Sequence, residues 1–216
     1  MVADKLHTLL EKLPQAVRLV AVSKFHPVAT LMEAYDAGQR IFAESRPQEL
    51  AAKVPQLPAE IEWHFIGHLQ TNKLKLVLPH VALVQSVDSL HLLEAMDKWG
   101  SEHGRVIPVL LELHLGAEET KQGFSADEIR EILQHSYNNI AVRGLMGMAT
   151  NTDDEAVIER DFSRIESLFK ELRSEFPSMA DFKDLSIGMS ADWPIAVRHG
   201  ATMVRIGTDI FGPREY

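Results

Sequence analysis

The stretch Arg18-Leu-Val-Ala-Val-Ser-Lys-Phe-His-Pro27 decides the fold class, because it shows how the first strand of the chain ends. Its apolar run is short and nearly continuous, which is typical of a parallel strand covered on both faces. An open, doubly wound sheet of the dinucleotide-binding kind would carry a glycine-rich turn directly after this strand. Here the strand leads into Ser23, Lys24 and a proline that can open a helix, so the open sheet is disfavoured.

Seven more apolar runs follow, and helical segments separate most of them. The runs cover residues 40–43, 62–66, 82–85, 106–113, 141–145, 184–187 and 203–206. Helices are predicted at residues 4–13, 27–38, 70–78, 88–100, from the capping box at Ser125 and Glu128 onward, and at 153–176 and 191–199. Strand–helix alternation repeated eight times indicates an α/β fold of the (β/α)8, TIM-type barrel class. The length of 216 residues fits one domain spanning residues 1–216.

The composition limits the classes of function. Lysine and arginine number 22 against 31 aspartates and glutamates, which gives a net charge of −9 and argues against a nucleic-acid partner. The absence of cysteine excludes disulfides and thiol catalysis. The charged start and the lack of an apolar stretch of about 18 to 20 residues predict neither a signal peptide nor a membrane span. We expect a cytoplasmic protein, monomeric by default, that binds no nucleic acid or membrane.

Lys24 is a candidate for chemistry because it directly ends the first apolar run. The working face of such a barrel lies at the carboxyl ends of its strands. Partial burial there disfavours the charged amine and makes it a better nucleophile toward an aldehyde. A surface lysine with a buried stem is the alternative interpretation.

Two loops near the end of the chain have the composition of an anion site. Gly188, Met189 and Ser190 follow the seventh run, and Gly207 and Thr208 follow the eighth. In barrels of this class the loops after strands seven and eight often bind phosphate. Glycine allows close approach of the backbone, and the hydroxyls are hydrogen-bond donors. We therefore predict a phosphate site opposite Lys24.

Arg205 lies inside the eighth run, where a cation needs a partner. One interpretation is an ion pair with a barrel carboxylate such as Glu112. The other is a hydrogen bond to a ring nitrogen of a bound cofactor. An amine for an aldehyde, a phosphate site and a donor for an aromatic nitrogen together describe pyridoxal 5′-phosphate (PLP).

Several motifs that run nearly from end to end resemble one known family. They are Ala21-Val-Ser-Lys24-Phe-His-Pro27, Trp63-His-Phe-Ile-Gly67-His-Leu-Gln70-Thr-Asn-Lys73, Lys121-Gln-Gly-Phe124, Arg143-Gly-Leu-Met146, Leu185-Ser-Ile-Gly-Met-Ser190 and Met203-Val-Arg-Ile-Gly-Thr208-Asp-Ile-Phe-Gly212. In these motifs the chain resembles the pyridoxal phosphate homeostasis protein family, which is related to the barrel domain of alanine racemase.

The resemblance implies a fold-type III PLP-binding barrel without the C-terminal β-domain of the racemases. It implies that Lys24 carries PLP as an aldimine and that Arg205 faces the pyridine nitrogen. The implied phosphate-binding loops contribute Met189, Ser190, Gly207 and Thr208. The implied role is vitamin B6 homeostasis in the cytoplasm, in which PLP is held and released to apo-enzymes. The resemblance implies neither a catalytic residue nor an established catalytic activity.

The chain departs from the family pattern after the second strand. Family members usually have Gly-Glu-Asn there, and this chain has Ala43-Glu44-Ser45. Ser45 keeps a short donor and acceptor, so we predict it as a cofactor contact with less reach than the asparagine.

An amino-acid racemase of low activity is the main alternative function. Racemisation needs a base on each face of the substrate carbon, and the related racemases take one, a tyrosine, from their C-terminal domain. The tyrosines here are Tyr35, Tyr137 and Tyr216, and none is an obvious second base. A charged Arg205 would also leave the ring nitrogen unprotonated and weaken the electron sink.

Three further alternatives fit less well. A serine hydrolase needs Gly-x-Ser-x-Gly, but Asp192 replaces the second glycine. Schiff-base aldolases generally place their lysine later in the barrel than Lys24. His64 and His68 straddle a strand end and lack a metal-binding motif, so no metal site is predicted.

Overall fold

The chain folds as a closed barrel of eight parallel strands in sequence order, as predicted. The computed structural model describes residues 1–115 and 122–213, so Lys121 and Tyr216 lie outside the described residues. Closure joins the first and last strands through four register pairs, from Arg18 with Met203 to Ala21 with Ile206. The strands are β1 (Arg18–Val22), β2 (Ile41–Glu44), β3 (Glu62–Phe65), β4 (Leu83–Val87), β5 (Ile107–Glu112), β6 (Ile140–Met146), β7 (Asp184–Ser186) and β8 (Met203–Ile206).

Helices lie between the strands and shield their outer faces. Those described are α1 (Val2–Lys12), α2 (Val28–Asp36), α3 (Pro47–Lys53), α4 (Leu74–Val77), α5 (Leu90–His103), α6 (Ala126–Gln134), α7 (Glu155–Glu175), α8 (Trp193–Arg198) and α9 (Thr208–Phe211). The capping box of α6 is confirmed, with the Ser125 hydroxyl accepting from the Glu128 amide and the Glu128 carboxylate accepting from Ser125. Helices α3 and α9 were not predicted, and the first part of segment 70–78 is a 3-10 turn.

Helix α5 is longer than predicted. Gly100 was expected to end it, but the helix continues to His103 and ends at Gly104, whose φ is +62°. Gly100 is buried, and a Cβ atom there would lie 2.6 Å from the carbonyl oxygen of Arg105. The glycine is therefore needed for close packing rather than for termination.

The core has two parts, as expected for a barrel wrapped by helices. The larger part fills the space between the strands and the helices. The smaller part lies inside the barrel and consists of Val20, Ala43, Leu83, Leu110, Met146 and Met203. Buried polar side chains also lie on these strands, among them His64, Gln85, Ser186 and Arg205. The barrel strands thus carry buried polar side chains as well as apolar ones.

Across residues 1–115 and 122–213, no helix combines the length and the apolar character needed to cross a bilayer.

Candidate functional site

A cavity of about 480 Å³ opens at the carboxyl ends of the strands. Its walls come from β1, β6 and β8 and from the segments that follow β1, β3, β6, β7 and β8. The closed barrel makes β1 and β8 neighbours, so residues from opposite ends of the chain meet here. Six of the predicted cofactor residues line it: Lys24, Met189, Ser190, Arg205, Gly207 and Thr208.

Lys24 is partly buried in a tight turn between β1 and α2. The next residue, Phe25, has φ +69°, a left-handed conformation that is uncommon for a bulky side chain. The Phe25 amide donates to Glu49 Oε1 at 2.7 Å. The Arg46 guanidinium stacks on the Phe25 ring, 4.3 Å from its centre. These contacts hold the turn that presents Lys24 to the cavity.

A buried ion cluster lies beside this turn and centres on Lys53 of α3. The Lys53 ammonium donates to the Ser23 carbonyl at 2.8 Å and to Oε1 of Glu44 and of Glu49, each at 2.7 Å. The Ser23 hydroxyl also donates to Glu44 Oε1, at 2.7 Å. Burial raises the pKa of the Glu44 carboxyl, although the charge of Lys53 acts in the opposite direction. The cluster fixes the backbone on both sides of Lys24 and ties β1 to β2 and α3.

The two predicted phosphate loops present unused donors to the cavity. Among the described residues, the backbone amides of Ser190, Gly207 and Thr208 donate to no protein acceptor. The Met189 amide is already used, because it donates to the buried carboxylate of Asp192 at 2.6 Å. Burial raises the pKa of that carboxyl above its usual value. Three backbone amides and two hydroxyls of cavity-lining residues therefore have no acceptor in the described part of the chain.

Gly188 sets the path of the first of these loops. Its φ of +93° lies in the region that favours glycine. A Cβ atom there would also lie 2.6 Å from the Cβ of Ala196 in α8. A side chain at this position would push the loop away from the helix.

Arg205 lies almost fully buried on β8 at the floor of the cavity. Its Nη1 donates to the carbonyl and to the hydroxyl of Ser186, at 2.8 and 2.7 Å, and its Nη2 donates to the Gly147 carbonyl at 3.0 Å. Burial lowers the pKa of Arg205 to about 10, while Glu112 and Asp192 partly offset this effect. The guanidinium therefore stays charged near neutral pH, and two of its five N–H groups have no described acceptor.

The ion pair between Arg205 and Glu112, considered as an alternative, is not formed within 4.0 Å in the described part of the chain. Glu112 is nevertheless buried and near enough to interact by charge. Burial, and then the charge of Asp88, raise its pKa to about 7. Asp88 in turn pairs with His68 Nδ1 at 2.8 Å. No group of three histidine or carboxylate side chains with metal-binding geometry occurs within residues 1–115 and 122–213.

Ser45 is not among the residues that line the cavity. It directly follows β2, and its carbonyl packs against Gly67, where a Cβ atom would come within 2.1 Å of that oxygen. Its contact with a cofactor stays a prediction. Ile66, Met146, Met148 and Asn151 line the cavity and were not predicted. Their positions at a strand end (Met146) or after one (Ile66, Met148 and Asn151) are the signal that could have indicated them.

Comparisons with known proteins show the family of this chain. The profile of the family described as "Alanine racemase, N-terminal domain" matches residues 2–215. A protein from Pasteurella multocida named pyridoxal phosphate homeostasis protein is 38% identical over 206 residues, covering 93% of this chain and 88% of that protein. The human protein of the same name is 38% identical over 213 residues, covering 92% of this chain and 77% of that protein.

Solved structures give the same result. PipY of Synechococcus elongatus, solved without PLP, superposes with a TM-score of 0.92 at 38% identity, over 98% of this chain and all of that one. The same protein with PLP bound gives 0.89 at 37% identity, again over 98% of this chain and all of that one. Alanine racemase from Clostridium difficile, at 14% identity and a TM-score of 0.75 over all of this chain and 56% of that one, shows the shared barrel fold. Together, the profile match and the relatives show that this chain belongs to the pyridoxal phosphate homeostasis protein family, within the alanine racemase N-terminal domain fold.

Proposed function

We propose that this protein binds PLP in the cavity at the carboxyl ends of the strands and serves intracellular PLP homeostasis. One observation carries the proposal: Lys24, Arg205 and the donors of Ser190, Gly207 and Thr208 line the same cavity. An amine, a guanidinium and an anion site are the three groups that an aldehyde-bearing pyridine phosphate requires. The cavity volume of about 480 Å³ is in the range of small-ligand sites.

Each side chain has a distinct task in this proposal. When bound, PLP supplies an electrophilic aldehyde and an electron-accepting ring. Lys24 provides the amine that holds the aldehyde carbon covalently. Ser190, Gly207 and Thr208 hold the phosphate, and Met189 covers it. Arg205, which stays charged, donates to the ring nitrogen and keeps it from being protonated. Ser45 assists from the end of β2.

We favour holding and release of PLP over amino-acid turnover. Turnover by racemisation needs a second base beside the substrate, and none of the tyrosines in the described residues lines the cavity. The cavity is also open to solvent, with Met148 and Met189 both exposed at its edge. Exchange of the Lys24 linkage with an incoming amine is therefore sterically possible. The partners we propose are PLP-dependent apo-enzymes of the cytoplasm, served by a monomer.

The direct test is a visible absorbance spectrum of the purified protein with PLP, followed by borohydride reduction and peptide mapping. We expect the modification on Lys24 and its loss in Lys24→Ala. Lys98→Ala is the matched control, because Lys98 is exposed on α5 and remote from the cavity. Label spread over several lysines, or retained in Lys24→Ala, would contradict the assignment of Lys24.

A second test concerns homeostasis itself. The loaded protein is mixed with a PLP-dependent apo-enzyme, and the regained activity of that enzyme is followed. We expect reactivation by the wild-type protein and none by Lys24→Ala at equal concentration. Sustained interconversion of an amino acid's enantiomers by the protein alone would instead favour the racemase alternative.

A further inference from the structure

A continuous row of buried polar side chains crosses the inside of the barrel. Arg205 Nη1 lies 2.7 Å from Ser186 Oγ, which lies 2.7 Å from Gln85 Oε1. Gln85 Nε2 lies 2.8 Å from His64 Nδ1, and His64 Nε2 lies 3.2 Å from Glu62 Oε1. The row joins β8, β7, β4 and β3, which lie on different sides of the barrel. It runs from the floor of the cavity to Glu62, at the amino end of β3.

The burial of this row makes its hydrogen bonds obligatory. Ser186, Gln85 and His64 are completely buried, and Arg205 is 3% exposed. A polar group at such a site costs free energy if its partner is lost. Only Glu62, with a side chain 46% exposed, reaches solvent. The three central residues therefore have no substitute partner in water.

The direction of the hydrogen bonds follows from the chemistry of the two ends. A guanidinium can only donate, so the Ser186 oxygen accepts from Arg205 and its O–H is left to donate to Gln85 Oε1. The amide nitrogen of Gln85 then donates to His64 Nδ1. The proton of His64 lies on Nε2, which donates to the Glu62 carboxylate. Reversing the amide of Gln85 would leave the Ser186 hydroxyl without an acceptor in the row.

The carboxylate end supports the same direction. The hydrogen bond from His64 lowers the pKa of Glu62, although burial acts in the opposite direction. An ionised Glu62 accepts from Nε2–H and thereby fixes the tautomer at one end. Arg205 fixes the hydroxyl at the other end. The row is thus polarised over its whole length.

We propose that Ser186, Gln85 and His64 are positioning residues that hold Arg205 under the cofactor site through this one-way hydrogen-bond chain. The proposal rests on the proposed function, since it gives Arg205 its task toward the ring nitrogen. Ser186 takes two hydrogen bonds from one guanidinium nitrogen, so its own orientation decides where Arg205 points. Gln85 supplies the acceptor that fixes that hydroxyl, and His64 fixes the amide of Gln85.

The first test compares two buried glutamines. Gln85→Leu removes the acceptor of the Ser186 hydroxyl. Gln39→Leu is the matched control, because Gln39 is also buried and donates to the Leu19 and Ile41 carbonyls but has no contact with the row. We expect Gln85→Leu to bind PLP about five- to tenfold more weakly and to shift the absorbance band of bound PLP. Gln39→Leu should leave both unchanged.

Gln85→Glu tests rescue. Its carboxylate still accepts from the Ser186 hydroxyl, but it cannot donate to His64. We expect PLP affinity within about twofold of wild type, because Ser186 and Arg205 keep their arrangement. We also expect His64 Nδ1 to gain a proton that it donates to the new carboxylate, while Nε2–H still donates to Glu62. If Gln85 only filled space, Gln85→Glu would leave both the PLP affinity and the protons of the His64 ring unchanged.

The second measurement needs no cofactor and separates this proposal from the proposed function. Nitrogen-15 NMR of the imidazoles in the PLP-free protein reads the tautomer of each histidine, and His64→Gln assigns the signal. We expect Nε2–H for His64 in wild type. In Gln85→Leu we expect Nε2–H to persist, because Glu62 still accepts from it, and the nitrogen-15 shift of Nδ1 to change, because Nδ1 loses its donor. Nδ1–H in wild type, or unchanged PLP affinity in Gln85→Leu, would overturn the positioning chain. A wild-type protein that shows Nε2–H but binds no PLP would overturn the proposed function while supporting the direction of the chain.

Discussion

Lys53 shows how a single buried charge can set the position of another residue. Its ammonium touches the Ser23 carbonyl, one residue before Lys24, and two carboxylates. The side chain is only 8% exposed, so its removal would leave Glu44 as an uncompensated buried charge. The neighbouring Glu44 Oε2 is already buried without a hydrogen-bond partner in the described residues. The cluster therefore has little capacity to adapt to a substitution.

We predict that Lys53→Met destabilises the protein by about 3 to 5 kcal/mol, the usual cost of breaking a buried ion pair from one side. It should also weaken PLP binding, because the turn at Lys24 loses its support. Urea denaturation and a PLP titration measure the two effects. Lys170→Met is the control, since Lys170 is 72% exposed beside Glu166 and should cost at most about 1 kcal/mol. Equal losses in the two variants would refute the role given to Lys53.

Glu112 makes stability depend on pH. Its pKa rises from 4.5 in an exposed chain to about 7 in the folded protein, first because of burial and then because of Asp88. Between these values the folded state binds more protons than the unfolded state, so stability falls as pH rises. A shift of this size corresponds to on the order of 3 kcal/mol.

The measurement compares wild type with Glu112→Gln by urea denaturation at pH 5 and pH 8. We expect wild type to lose more stability than the variant over this interval, because an amide does not titrate. Other titrating groups contribute to both proteins and cancel in the difference. The same pH dependence in both would show that Glu112 is not responsible.

At the scale of elements, Gly100 illustrates why a local signal can mislead. A glycine near the end of a helical pattern usually marks the helix terminus. Here the helix ends at Gly104, which adopts the left-handed conformation. Gly100 instead packs closely against residues 105 and 139 of the same polypeptide. The role of Gly100 depends on what packs against it, which the pattern of residues 88–100 does not contain.

We predict that Gly100→Ala destabilises the protein by about 1 to 3 kcal/mol, although alanine favours helices by about 1 kcal/mol. The reason is steric, because the new Cβ would lie 2.6 Å from the Arg105 carbonyl oxygen and from the Asn139 Cβ. Thermal unfolding measures the change. Ser101→Ala, at the next and exposed position of α5, should be neutral or slightly stabilising. A stabilised Gly100→Ala variant would contradict the tight packing.

The strands and the main site residues could be predicted because they depend on local information. A buried strand is an apolar run, and a residue directly after it must lie at the carboxyl end of the barrel, as Lys24, Gly207 and Thr208 do. Helix α3 escaped prediction because its seven residues bury little apolar surface; Leu50 and the stem of Lys53 are its buried side chains. Because α3 was not predicted, the buried ion cluster around Lys53 was not predicted either.

The hydrogen-bond chain inside the barrel could not be predicted at all. Ser186 and Gln85 are 101 residues apart in sequence, and Gln85 and His64 are 21 apart. Their contact depends on which strand faces which across the closed barrel and on the register of each strand. A polar residue inside an apolar run is visible in the sequence, but its partner is fixed only by the register of the whole sheet.

At the scale of the whole molecule, the proposed cofactor site lies across the point where the barrel closes. Lys24 follows β1, whereas Gly207 and Thr208 follow β8, and these two strands pair through four register positions. A ligand held by both sides links the beginning of the barrel to its end. Ligand binding stabilises the folded state by mass action, by about 2.7 kcal/mol at a hundredfold excess over Kd. We expect that stabilisation to be largest where β1 pairs with β8 and in the loops that bind the ligand.

We therefore predict that PLP slows hydrogen exchange most strongly at residues 23–26, 188–191 and 206–209. The amides of Ser190, Gly207 and Thr208 gain an acceptor, so their exchange should slow by at least about tenfold, the equivalent of one added hydrogen bond. Inorganic phosphate is the matched ligand, since it can occupy the anion loops without engaging Lys24. It should protect 188–191 and 206–209 but leave 23–26 unchanged. Protection spread evenly over the barrel, or confined to helices far from the closure, would show that PLP does not join the two ends of the barrel through Lys24 and the loops after β7 and β8.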